Sequence, residues 1–270
     1  MFIVREWKSL IADLRADKWK LLGWFCLLIL TILSLIKNAR LEDVKGTISI
    51  ADAMDQFFSV YTFVFPVTPL LLLFIAISLL PFFSLFRVIR YKSRAELFLA
   101  FVGRILGISS CFTFVFLLFG FIMSVIWCGG FVHNWDTING TPYILYGEQL
   151  QVNVFSPVWM IFRYITTAFL VFSFFITCTS AFYLIFSKYI YSFISIICLL
   201  MMDRMSNTFF NISILHDYLS LELTQWLVPG SFEITVFLYL GGTILLLCAI
   251  YIGMITKDFS NGTIDINKRK

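Results

Sequence analysis

Long apolar runs separated by short charged stretches organise this chain. The runs fall at about residues 21–36, 57–85, 105–127, 158–186, 190–204 and 232–255. An α-helix needs about 20 apolar residues to cross the hydrocarbon core of a bilayer, and most of these runs approach or exceed that length. They are apolar around the whole helical circumference and do not alternate with period two. The pattern therefore predicts spanning helices, not half-buried soluble helices or barrel strands. The expected architecture is an all-α polytopic membrane protein with six transmembrane helices in a single domain over residues 1–270. The first run is short, and Lys20 and Lys37 extend it by snorkelling. The second contains Pro66, Pro69 and Pro81, which predict a bent helix because proline removes a backbone donor and crowds the preceding turn. A bend that lines a path and a bend that is only structural both fit this pattern.

The polar stretches predict what joins the spans. Residues 1–20 place Ile3, Trp7, Leu10, Ile11 and Leu14 at roughly helical spacing among charges, the pattern of an interfacial helix lying flat before the first span. Residues 37–56 are polar. Residues 87–104 form a basic island in which Arg87, Arg90, Lys92, Arg94 and Arg104 face one carboxylate, Glu96. Leu97, Phe98, Phe101 and Val102 give that island an apolar side. It reads as a short surface helix whose charges meet either a partner protein or anionic lipid. Residues 128–157 form a loop without Lys or Arg, and residues 187–189 a tight turn. The fifth run is interrupted by Asp203 and Arg204. The mixed stretch 205–230 is too broken to span and reads as a re-entrant hairpin. Residues 256–270 are a basic tail.

Composition strengthens the membrane reading. The 270 residues are 60% hydrophobic and 13% charged, with mean hydropathy +0.91. A soluble domain carries about 25% charged residues. The six cysteines form no CxxC pair and lie in or beside apolar runs, so they read as small buried apolar residues. The basic N-terminal stretch precedes no small-residue cleavage site, so the first run is expected to remain as an uncleaved span. With the N-terminus inside, the inner segments carry about three times as many Lys and Arg as the outer ones, and the positive-inside rule places both ends in the cytoplasm. Trp7, Trp19 and Trp24 then mark one interface, and Trp127, Trp135, Trp159 and Trp226 the other.

Catalytic signatures are missing. The chain has no HExxH, GxSxG, P-loop or dinucleotide fingerprint, and His133 and His216 are too few and too far apart for a metal site. Any ATP-driven work must therefore come from another chain. The charged residues near span ends, Arg163, Asp203, Arg204 and Glu233, are the remaining candidates for function, with Arg163 facing Glu233 across the bundle as one possible pairing. No acidic residue sits at the middle of a span, which argues against an ion-coupled carrier. The sequence offers nothing that points to nucleic acid.

The run RVIRYKSRAELFLAFVGRIL, residues 87–106, resembles the basic stretch of small Gram-positive permeases tied to peptide or antibiotic export and self-immunity. The chain as a whole is similar to the membrane subunit of ABC-2 type exporters. These have six spans with both ends inside, an N-terminal interfacial helix, a cytoplasmic coupling helix between spans two and three, and a re-entrant hairpin between spans five and six. The resemblance implies a permease that pairs with a second copy or a paralogue in the cell membrane and docks a cytoplasmic ATPase subunit. That subunit, not this chain, would bind ATP and magnesium. Residues 87–104, with Arg87, Arg90, Lys92, Arg94 and Glu96, would be the coupling helix, and a hydrophobic or amphipathic peptide, antibiotic or lipid the cargo. The competing reading is a non-transporting immunity or sensor-associated membrane protein that works without an ATPase.

Overall fold

The computed structural model describes residues 2–41, 49–57, 59, 62–84, 88, 91–138, 140–147, 156–210, 215, 226 and 228–256. Among these the chain is all-helical. Six of its helical segments are long and apolar enough to cross a membrane. They are α2 (Lys18–Leu41), the composite second span (Phe63–Phe83), α5 (Arg94–Cys128), α7 (Pro157–Phe186), α8 (Tyr189–Phe210) and α9 (Ser231–Thr256). The non-spanning helices are α1 (Phe2–Ala16), α3 (Ile50–Phe57) and α6 (Thr141–Tyr146).

The second span shows what its prolines do. A π-helical turn, Phe63–Val67, contains Pro66 and leads into α4 (Thr68–Ser78), which has Pro69 in its first turn. The wide turn accommodates two prolines three residues apart, which a regular helix would not tolerate. The carbonyl of Phe63 is satisfied by both the backbone N–H and the hydroxyl of Thr68, the latter at 2.8 Å. At the far end, Pro81 ends α4 and the chain tightens into a 3-10 turn, Leu80–Phe83. The Phe82 N–H then bonds Leu79 O at 2.9 Å instead of Ser78 O. The Ser78 carbonyl is left to find a donor elsewhere.

Around this span the core is aromatic. Trp24 of α2 packs on Phe74 of α4 and Phe112 of α5, with centroids 4.7 and 5.7 Å apart. Phe172 of α7 meets Phe112 edge-on at 4.7 Å and stacks against Phe63 at 6.1 Å. Four spans thus share one ring cluster, and the second is the most deeply buried of the six. On the other side α9 packs on α7, where a Cβ on Gly242 would lie 2.9 Å from Phe174. α8 and α9 are the least buried spans. The Phe98–Tyr251 contact, 4.9 Å between ring centroids, brings the C-terminal part of α9 to the end of the bundle where α5 begins.

Two sequence expectations need correction. Residues 94–104 are not a separate surface helix but the first three turns of α5, continuous with the third span. Ser93 caps this helix, its hydroxyl accepting the Glu96 N–H at 3.2 Å, while the Glu96 carboxylate reaches back to the Lys92 N–H at 2.9 Å. After that start nothing breaks the helix before Gly129, whose left-handed backbone (φ 73°) ends it. Second, Asp203 and Arg204 do not interrupt the fifth span. α8 continues to Phe210, and the Asp203 carboxylate accepts the Leu215 N–H at 3.1 Å. Within the polar stretch before the second span lies the short helix α3. Ser49 and Asp52 cap α3 reciprocally, with Ser49 N–H to Asp52 Oδ2 at 2.8 Å and Asp52 N–H to Ser49 Oγ at 3.3 Å. Most of the expected hairpin at 205–230 and the tail at 257–270 lie outside the described residues, as do Arg87 and Arg90.

Candidate functional site

The densest long-range polar contacts join α1, the head of α5 and the far end of the second span. Arg104 stands on the buried stripe of α5 formed by Leu97, Phe101 and Ile108 and is itself fully buried. Its guanidinium pairs with the Asp13 carboxylate of α1 and donates to the Ser78 carbonyl, with Nε 3.0 Å from that oxygen. The Ser78 carbonyl, left open by the 3-10 turn, thus receives its donors from another helix. A planar guanidinium can serve a carboxylate and a carbonyl at once, where a lysine offers a single point charge.

Further contacts hold α1 in place. Trp7 donates from Nε1 to Gly103 O at 3.1 Å. A Cβ on Gly107 would meet Leu10 at 3.1 Å and Trp7 at 3.2 Å, so a small residue is needed for the close approach of α1 and α5. Glu6 is buried and accepts the Tyr91 hydroxyl at 2.8 Å. Burial pushes the Tyr91 phenol up to about 12, with the hydrogen bond to Glu6 and its negative charge adding to the shift and Arg5 opposing it.

The residues expected to meet an ATPase lie beside this junction. Lys92 and Arg94 are exposed, and Glu96 is half-buried with its carboxylate engaged in the helix cap. Arg104, read from the sequence as one of the island's outward charges, is turned inward. The signal for this was present: Arg104 shares the i, i+3, i+4 stripe of Leu97, Phe101 and Ile108.

A second cluster occupies the opposite end of the bundle. The Asp52 carboxylate accepts Trp135 Nε1 at 2.6 Å. Trp135 stands edge-on to Trp226 at 6.3 Å, and the Arg163 guanidinium lies 4.4 Å from the Trp226 ring centre. Arg163 also donates to Ser231 Oγ at 2.8 Å. The structure therefore brings Arg163 to the start of α9, where Glu233 is exposed two residues beyond that serine. Asp203 and Arg204 are half-buried on α8. The aromatic partners of Arg163, Trp226 and Phe232, were not anticipated, since nothing in their spacing from it marks the contact.

The six spans and the buried polar junction at one end define a multi-pass α-helical membrane protein. In comparisons with protein-family models, curated proteins and solved structures, nothing matches the chain.

Proposed function

We propose that this chain is the membrane subunit of an ABC-2 type exporter in the cell membrane, with both ends in the cytoplasm. It would move a hydrophobic or amphipathic peptide, antibiotic or lipid outward, driven by ATP hydrolysis in a separate subunit. The observation that carries this reading is the Arg104 junction. It ties the helix that starts at the exposed Arg94, just after the exposed Lys92, to the second span, with its proline-bearing π and 3-10 turns, through the Ser78 carbonyl. Such a lever is what an exporter needs at the surface facing its ATPase, because force applied there reaches a helix able to bend. Residues 87–104 supply the contact, and a second copy or a paralogue completes the translocation path. The absence of a P-loop from the sequence supports an energy source on another chain.

The test is co-purification. Gently solubilised protein, isolated from its own host and analysed by mass spectrometry, is expected to carry a stoichiometric nucleotide-binding ATPase. Recovery of the intact protein without any ATPase, under conditions that preserve other transporter complexes, overturns the proposal and leaves the non-transporting immunity or sensor reading in its place.

A further inference from the structure

The stretch from residue 1 to 20 carries five cations and three acids, and its sequence alone gives no reason to separate them. The structure separates them. Glu6 meets Tyr91, just before α5, and Asp13 meets Arg104 on α5. Asp17 is held locally by Lys20 at 2.8 Å. Lys8, Arg15 and Lys18 all remain exposed. Around the α1 axis three sectors follow one another. Glu6, Leu10 and Asp13 face the protein. Trp7 and Ile11 form an exposed apolar flank, at 44% and 50% exposure. Lys8 and Arg15 come next, at helical spacing beside that flank. The apolar flank has a counterpart at the start of α2, where Trp19 is 75% exposed and Leu22 55%.

We infer that this face of α1 binds the surface of an anionic phospholipid leaflet. Trp7, Ile11 and Trp19 enter the acyl boundary, and Lys8, Arg15 and Lys18 meet the headgroup phosphates. Two physical arguments select this occupant. An interfacial helix binds by combining apolar burial with attraction to anionic lipid, and here the apolar and basic sectors adjoin. The apolar flank also shares its end of the bundle with the exposed apolar start of α2, a helix long and apolar enough to span, so a bilayer around α2 would reach it. The buried pairs Glu6–Tyr91 and Asp13–Arg104 have a second effect: they remove from the outer face the two carboxylates that would repel phosphate. This inference stands whether or not an ATPase docks on the neighbouring basic segment.

The test uses the full chain in phosphatidylcholine vesicles containing graded phosphatidylglycerol. After gentle detergent extraction, native mass spectrometry counts the lipids that stay bound. Phosphatidylglycerol is expected to be retained in preference to phosphatidylcholine. In Lys8→Gln/Arg15→Gln/Lys18→Gln that preference is expected to weaken about five-fold per cation removed, the equivalent of about 1 kcal/mol per basic residue near an anionic surface. The single variant Lys37→Gln, at the other end of α2, is expected to retain it. No preference in the wild type, as an acidic protein partner for this face would give, or an unchanged preference in the triple variant, overturns the inference. A second measurement leaves the charges intact. Phosphatidylglycerol with brominated acyl chains should quench tryptophan fluorescence more than brominated phosphatidylcholine does, and the excess should shrink in Trp19→Phe. Equal quenching by the two lipids overturns the inference independently.

Discussion

Arg104 is an arginine in a place where an apolar residue would cost less by itself. Taking a cation out of water is tolerated only where its charge is met, and here Asp13 supplies the opposite charge while Asp13 and the Ser78 carbonyl accept from Nη2 and Nε. Removing one partner should therefore hurt more than removing both. Asp13→Ala is expected to lower stability in detergent by about 3–5 kcal/mol, because it strands a buried charge. Asp13→Ala combined with Arg104→Met is expected to recover part of that loss, as read from a double-mutant cycle in thermal unfolding. Strict additivity of the two substitutions would show that the pair is not coupled. Tyr91 gives the same junction a pH dependence. Its folded value lies near 12, above the ordinary value of 10. A group raised in the folded state holds more protons there, so its contribution is complete below about pH 10 and is lost as pH rises toward about 12. Tyr91→Phe lacks this titration. The stability gap between wild type and Tyr91→Phe should narrow between pH 10 and 12, and a gap constant over that window would exclude the contact as its source.

At the scale of elements, the second span is held through its own backbone. Trp24 of α2 donates to Leu70 O at 2.8 Å, Tyr189 at the start of α8 donates to Leu72 O, and Arg104 of α5 donates to Ser78 O. Three neighbouring helices thus grip a helix that begins with a π turn and ends with a 3-10 turn, so bending is expected to concentrate at those two places, not along α4. The fit of α1 on α5 depends on the missing side chain at Gly107. Gly107→Ala asks its neighbours to yield by a few tenths of an ångström, whereas Gly107→Leu cannot be housed and should lift α1 from α5. Limited proteolysis reads this directly. Trypsin should cut at Arg15 and Lys18 faster in Gly107→Leu than in the wild type, and an unchanged rate would place the α1 contact elsewhere. Much of this level is legible in the sequence. The six apolar runs, the irregular turns at the three prolines, and the caps Ser49-x-x-Asp52 and Ser93-x-x-Glu96 are local patterns with local causes. The cap at Ser93 is also why the basic island does not end before the third span. The pairing of residue 13 with residue 104 is not legible in the same way, because it depends on which helices meet. Nor is the seat of Arg163 on Trp226, which joins segments 63 residues apart in sequence.

At the scale of the whole molecule, α5 is longer than a span requires. Its 35 residues extend about 50 Å at 1.5 Å per residue, against a hydrocarbon core of about 30 Å. The surplus is long enough to leave Arg94 and Glu96 beyond the hydrocarbon core, while Arg104 stays within the packed junction. On the proposed exporter reading these two groups of charges have different tasks, and substitution separates them. Lys92 and Arg94 face outward and touch the partner, so Lys92→Glu/Arg94→Glu should abolish transport while membrane insertion and the unfolding temperature stay near wild type. Asp13→Ala acts inside the lever and should lower transport and unfolding temperature together. Vesicle transport assays with the ATPase present, paired with thermal unfolding of the same preparations, distinguish the two. Full transport by Lys92→Glu/Arg94→Glu would remove the basic segment from the coupling path, since a charge that only orients the chain in the bilayer completes its work once insertion is finished.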